Sequence, residues 1–376
     1  MSDRLGDSPD ADAPNNVGDV RMVLRRGLKS ALARWVIAKR RGHRASPPPA
    51  PQDEATHEWD GQRFFAEDYT FVGVQAGLAV VLRLEWLPGR SSQRVWVTLL
   101  TPDGVWALPG GEAVLGASGS DRWRAGGLKL DCVTPLQRWT ARFAGSVEPQ
   151  GHKAAGPSLR VVGERERPAV RASVDLTFIS AANPYAPGTD DDPELLARRL
   201  GEADWDARLL RTARRARSHG YVQLGQLHGT VALGDRLIPI RAWSIRQHHW
   251  GGRDWGASDE AFQCFWATDD ERRGWVQHAR FPFVTLEGGF LSHRAQVESI
   301  RRLGSSLESR PHRAPARVGL TLGDDDDVHD LEAEMLSDLS FVVDGRGRVD
   351  LGLIRVTRPT PGWGVWAGLR RALPRR

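Results

Sequence analysis

Between Arg246 and Trp255 the chain carries Arg-Gln-His-His-Trp-Gly-Gly-Arg-Asp-Trp, a density of polar and aromatic groups found nowhere else in it. His248, His249 and Asp254 are the candidate acid–base groups, because imidazoles and a neighbouring carboxylate can exchange a proton near neutral pH. Arg246, Gln247, Trp250, Arg253 and Trp255 are the candidate ligand-binding groups. Guanidinium, amide and indole faces suit a largely apolar small molecule with a few polar atoms. Gly251 and Gly252 allow close backbone approach at the same place. The same residues could instead form a stacked, hydrogen-bonded plug that closes the end of a barrel.

Other chemistries find less support. On a strand, His248 and His249 face opposite ways and cannot share one ion, so no metal is expected. Asp324 to Asp327 lacks the alternating ligand spacing of a calcium loop and reads as a solvated turn. The two cysteines, Cys132 and Cys264, make neither a disulfide framework nor a thiolate metal site. There is no nucleophile-elbow, phosphate-cradling or dinucleotide motif, and no cofactor is expected.

The elements that must position the cluster are strands. Runs such as GLAVVLRLEW, QRVWVTLL, GGLKLDCV, LQRWTARFAG and VRASVDLTFIS are rich in β-branched and aromatic residues, with Gly, Pro, Asp or Ser between them. After AANPYAPGTDDD, the acids of 190–192 and Pro193 mark a helix entrance. Strands resume at YVQLGQLHGTVAL, turn tightly around Gly234-Asp235, and continue through RLIPIRAWSIR to the cluster. The reading is all-β: two β-barrels or sandwiches joined by a helical connector, with a basic N-terminal helix.

The expected boundaries are disorder over 1–19, a basic amphipathic helix over 20–45, a stiff Pro-rich linker over 46–56 and a first barrel over 57–182. The helical connector comes next over 183–218, then a second barrel over 219–360 and a basic tail over 361–376. Fifteen Trp residues lie mostly in or beside strands, where their rings could line an apolar cavity or fill the core.

Charge is segregated. Residues 21–44 hold nine Lys/Arg and residues 355–376 hold six, neither block with an acid, so a chain of net +5 has an acidic body between basic ends. That excludes a nucleic-acid groove across the body. The helix over 20–45 suits either an anionic membrane surface or the protein's own body. No apolar run approaches the roughly 20 residues that span a bilayer, and no secretory signal is visible. The expected location is cytoplasmic, including the inner face of the membrane; the oligomeric state is open.

The cluster and its approach resemble the pattern "strand, Gly-x-Val, strand, Arg-Asp-His-Ser-Trp-Gly-x-Arg-Asp-Trp" of tandem lipocalin-like proteins grouped with hydroxyneurosporene synthase (carotenoid 1,2-hydratase). AGGLKLDCVTPLQRWTARFAG is similar to a second stretch of a subgroup also found with phosphoenolpyruvate synthase-like phosphotransferases. The resemblance covers roughly residues 60–365 and implies that the two halves are lipocalin-like β-barrels. Arg246, His248, Trp250, Gly251, Arg253, Asp254 and Trp255 match the pattern, whereas Gln247 stands for Asp and His249 for Ser. Protonating an isolated alkene requires a shielded acid, which an amide cannot be. The resemblance therefore implies binding of an isoprenoid, polyketide or lipid-like molecule near Arg246–Trp255. Its alternatives are a hydratase or cyclase acting on such a molecule, and a membrane-associated accessory protein.

Overall fold

The computed structural model describes residues 27–35, 37–38, 49–116, 122–150, 168–203, 205, 218–294, 296–323 and 328–372. The expectations for 1–19, most of 204–217 and 324–327 fall outside these residues.

The first sheet contains β1 (Phe65–Gln75), β2 (Leu78–Leu87), β3 (Ser92–Thr101), β4 (Gly104–Ala107), β5 (Ala113–Gly116) and β6 (Arg124–Ala125). It continues with β7 (Leu128–Thr134), β8 (Arg138–Gln150), β9 (Val170–Ser180), β10 (Ser218–Leu233) and β11 (Arg236–Gly252). Hydrogen bonds run β4-β3-β2-β1-β11-β10-β9-β8, and β4 also pairs β8, so eight strands close into a barrel. Closure removes the open edges that so many strands would otherwise expose.

The second sheet is formed by β12 (Glu260–Thr268), β13 (Arg272–Arg280), β14 (Thr285–His293), β15 (Gln296–Ser299), β16 (Arg302–Leu307), β17 (Arg317–Gly323), β18 (Val328–Val343), β19 (Gly347–Arg358) and β20 (Gly362–Arg371). Its nine strands run β15-β14-β13-β12-β20-β19-β18-β17-β16, a half-barrel. The all-β architecture with two barrel-like halves is as expected.

Strand pairing divides the halves differently from the expected boundary at 219. β10 and β11 complete the first barrel, with β11 between β1 and β10. Hydrophobic pattern identifies strands but not their partners, and here the closing partners lie about 180 residues apart in sequence, as Tyr69 and His248 show. Residues 362–371 of the expected basic tail form β20, central in the second sheet. The connector contributes α2 (Pro193–Glu202), whose Asp192 side chain accepts from the Glu194 and Leu195 amides while Pro193 opens the first turn.

Of the expected N-terminal helix, residues 27–35 form α1. It docks on the protein's own body: Lys29 Nζ donates to the Ala203 carbonyl at 2.8 Å, and Ala33 is buried. Leu28, Leu32 and Trp35 stay exposed. No helix among the described residues is long and apolar enough to cross a membrane.

The core has three layers. Tyr69, Phe71, Leu82, Trp139 and Phe178 are among the side chains filling the barrel interior. Val72, Val81, Trp96 and Leu224 on its outer wall meet Phe265, Trp275, Phe341 and Leu353 of the second sheet. A third cluster lies on that sheet's other face. β1, β2 and β3 are consequently buried on both sides. Their polar residues must find partners inside the protein.

An inter-sheet charge network provides such partners. Arg94, fully buried, reaches Glu85, Glu112 and Asp344 of the β18–β19 turn. Arg83 pairs Glu85 at 2.8 Å and Asp68 at 3.3 Å, with its guanidinium 4.6 Å from the Trp96 ring centroid. Removing Glu85 takes a carboxylate partner from two buried cations, Arg83 and Arg94. Glu85→Ala should therefore lower unfolding free energy by about 3–5 kcal/mol, whereas Glu334→Ala, at the exposed Arg355 pair, should cost about 1 kcal/mol or less. Urea denaturation of the two variants checks the contrast; equal losses would show that the buried network is energetically idle.

Candidate functional site

β11 runs between β1 and β10 with His248 opposite Tyr69 and Tyr221 and His249 opposite Asp68. Because side chains alternate along a strand, Arg246, His248 and Trp250 face the barrel interior while Gln247 and His249 face away from it. All five are at least half-buried, but they belong to two different environments.

On the inner face, His248 is fully buried and its Nε2 lies 3.0 Å from Glu67 Oε1. The same oxygen receives His57 Nδ1 at 2.9 Å, and the His57 backbone N–H also donates to the Glu67 carboxylate. Tyr69 stacks on the His248 ring at 4.0 Å between centroids, and Trp250 stacks on His57 at 4.0 Å, nearly parallel. Among the described residues, His248 Nδ1 has no hydrogen-bond partner. Burial lowers the His248 pKa, outweighing the hydrogen bond and charge of Glu67, so the ring is neutral at neutral pH. Burial would raise Glu67, but its bonds to His248 and His57 hold it below the ordinary carboxylate value. The arrangement is an oriented base: Nε2–H donates to a carboxylate and Nδ1 keeps its lone pair.

A second carboxylate lies beside it. Glu54 comes from a 3-10 turn, Pro51–Glu54, ahead of the first strand, and is buried. It forms a two-point pair with Arg246 at 2.7 and 3.0 Å. Trp139 Nε1 donates to it at 2.7 Å, and the Tyr221 hydroxyl donates to its other oxygen. Arg246 also donates to Gln223 Oε1 at 2.8 Å, and its guanidinium lies within 6 Å of the Tyr69, Trp139, Phe178 and Tyr221 rings. Burial together with the nearby Glu54 raises both tyrosine hydroxyls, against the opposing pull of Arg246, and they stay protonated donors. Partial desolvation of the sulfur, in a residue exposed overall, and the nearby Glu54 push the Cys132 thiol up to about 11, which leaves it un-ionised and a poor nucleophile.

Of the eight residues expected to form one site, three meet here: Arg246, His248 and Trp250. The other five are placed elsewhere by strand alternation and by the turn after Gly252. Gln247 donates to Gln263 of β12 at 2.9 Å. His249 faces Asp68, and Arg253 pairs Asp68 at 2.6 Å within the inter-sheet network. Asp254 is held by Arg346 through two 2.9 Å bonds. Trp255 packs near Trp96 and Arg83. The amide at Gln247 therefore does not deprive the inner cluster of an acid. Glu54 and Glu67 supply two carboxylates that sequence reasoning did not single out; the one available signal was the acidic pair Glu67-Asp68 inside the apolar run FAEDYTFVGV.

Two further features bear on ligands. A recess of about 340 Å³, lined by Ala182, Tyr185, Asp190, Val297 and Ser299 among others, lies away from Arg246–Trp255. His57, Glu67 and His248 place three ligand atoms within 4.8 Å of one another, a spacing that a divalent ion could draw together. Ligation through His248 Nε2 would shift its proton to Nδ1, turning a bare acceptor into a buried donor without a partner among the described residues. The hydrogen-bonded relay satisfies these groups better.

A family model described as "Domain of unknown function (DUF7064)" matches residues 50–366, and the chain belongs to that family. A search of curated proteins finds no match. Among solved structures, an AttH candidate of Nitrosomonas europaea is similar at 11% identity and TM-score 0.56, covering 87% of this chain and 98% of that one. Kievitone hydratase from Nectria haematococca is similar at 10% identity and TM-score 0.50, covering 86% and 93%. At such identities the likeness concerns the fold.

Burial pushes the outward-facing His249 down to about 3 despite the nearby Asp68. Unfolded, a histidine titrates near 6.5. The unfolded chain therefore takes up the proton first, so neutral His249 contributes stability above about pH 6.5 that is lost as pH falls. His248 shifts in the same direction. Between pH 7 and 5, His249→Gln should lose about 1–2 kcal/mol less stability than the parent protein. Denaturation curves at both pH values check this, and identical pH slopes would contradict the burial of a neutral His249.

Proposed function

We propose that this DUF7064 member is an acid–base enzyme of the hydratase or isomerase/cyclase kind. Its substrate would be a largely apolar small molecule, isoprenoid, polyketide or lipid-like, with at least one oxygen function. The observation that carries the reading is the buried His248–Glu67–His57 relay, with His248 Nδ1 bare and the ring packed against the Tyr69 and Tyr221 rings.

Such a relay matches what adding or removing water, or shifting a double bond, demands. His248 Nδ1 accepts a proton from the substrate or from an attacking water, Glu67 on the far nitrogen stabilises the imidazolium that forms, and the imidazolium returns that proton to the departing hydroxyl or to the carbon at the other end of the double bond. Once released from Glu54, a tyrosine hydroxyl or the Arg246 guanidinium would offer a donor to the oxygen on which negative charge develops. Low-dielectric surroundings strengthen each interaction. That kievitone hydratase has a similar fold is compatible with this reading. A second reading, binding without turnover, uses the same aromatic surroundings of Tyr69, Trp139 and Phe178 and needs no proton transfer.

The test uses isotopically labelled water. Incubating the protein with an apolar extract of its native host should introduce label into at least one compound, detected by mass spectrometry. His248→Asn should cut that labelling by about two to four orders of magnitude, and Glu67→Gln by a smaller factor, with both variants folded by circular dichroism. Label incorporation unaffected by either change would overturn the assignment. Co-purifying apolar compounds without label would favour binding alone.

A further inference from the structure

Between residues 49 and 64 the chain crosses the barrel end that holds the relay, without forming strand or α-helix. Glu54 is the single buried residue of that stretch. Its neighbours are half-buried or exposed, and Trp59 is 45% exposed. The segment is thus held by polar contacts and ring stacking. These are the Glu54 pair with Arg246, the His57 bonds to Glu67, the Tyr69 hydroxyl on the Glu54 carbonyl, the Trp123 bond to Thr56, and His57 against Trp250. A segment with no apolar anchor opens at less cost than one seated in a core.

The group that the segment inserts is also specific. Four donors, two from Arg246 and one each from Trp139 and Tyr221, converge on a carboxylate inside an aromatic box. A buried ion pair is often no more stabilising than apolar residues of similar volume. The protein nevertheless keeps a cation at the bottom of its barrel mouth and neutralises it with a carboxylate delivered from outside the sheet.

We propose that residues 50–58 are a displaceable strap, and that Glu54 occupies the seat of a ligand carboxylate. When the strap lifts, an apolar carboxylic acid, aromatic or polyene, places its carboxylate on Arg246, Tyr221 and Trp139. Its hydrocarbon body lies against Tyr69, Trp139 and Trp250, beside His248 Nδ1. Binding at this seat narrows the substrate class to carboxylates, and turnover of the bound acid rests on the acid–base reading of His248. His57 leaves Glu67 with the strap, so the relay then reduces to the His248–Glu67 pair.

trans-Cinnamate serves as the probe and cinnamyl alcohol as its neutral match, in the full-length chain. Glu54→Ala empties the seat and should bind cinnamate about tenfold or more tightly than the parent by calorimetry, with a cinnamate-dependent rise in melting temperature. The alcohol should do neither. Adding Arg246→Met to Glu54→Ala should abolish cinnamate binding. In the parent protein, saturating cinnamate should speed hydrogen exchange at the His57 amide, which donates to Glu67 in the closed form. If Glu54→Ala does not fold, Glu54→Gln keeps the strap's shape and should show the same order of affinities. Equal binding of acid and alcohol, unchanged affinity in the Glu54 variants, or retained binding without Arg246 would overturn the proposal. Cinnamate binding is read without turnover: a Glu54→Ala protein that binds cinnamate tightly while the parent protein introduces no solvent label into any compound would count against the catalytic reading and leave the carboxylate seat standing. Failure of carboxylate binding is thereby separable from failure of the catalytic reading.

Discussion

A strand buried on both faces must satisfy every polar side chain it carries, and this constraint organises the molecule around β1 and β11. Each inserts consecutive polar residues between two cores: Glu67 and Asp68 on one strand, Gln247, His248 and His249 on the other. Alternation sends them in opposite directions. Glu67 and His248 meet inside the barrel, while Asp68 and His249 meet against the second sheet. One pair of strands thus builds a proton relay on one side and part of a structural ion network on the other. Unpaired, any of these groups would carry the desolvation penalty of a buried charge or dipole.

The two networks differ in their surroundings. The outer one joins Arg83, Arg94 and Arg253 to Asp68, Glu85, Glu112 and Asp344, with contributions from both sheets. Its partners lie within strands or the links that join consecutive strands, and its work is to lock barrel and half-barrel together. The inner network draws Glu54 and His57 from an irregular segment ahead of the first strand. Chemistry needs a group that can change partners, and here the inner network is the one with partners on a segment outside the sheets.

Much of the fold was legible in the residues themselves. Strand runs, the Gly234-Asp235 turn and the Asp192-Pro193 helix entrance arise from β-propensity, backbone freedom at glycine and capping chemistry; Leu233 and Arg236 do pair across that turn. The Arg246–Trp255 stretch stood out by composition, and Arg246, His248 and Trp250 of it do lie together. The assignment of β10 and β11 to the first barrel was not legible, because both sheets offer strands of similar pattern and only three-dimensional closure selects the partner. Glu54 was hidden for a related reason. An isolated acid after a Pro-rich stretch reads as solvated, and its burial depends on an arginine 192 residues away. His57 and Glu67 likewise become a relay only when β11 is laid beside β1.

The acid–base reading of the inner network turns on His248 being a neutral base with its proton on Nε2, held there by Glu67, and with Nδ1 bare. Long-range proton–nitrogen correlation spectra of the imidazole side chains observe this directly in the intact protein at neutral pH. The expected result is a single Nε2–H tautomer for His248, with an acceptor-type Nδ1 and a hydrogen-bonded Nε2 proton that exchanges slowly. An imidazolium signature, or the Nδ1–H tautomer, would contradict it.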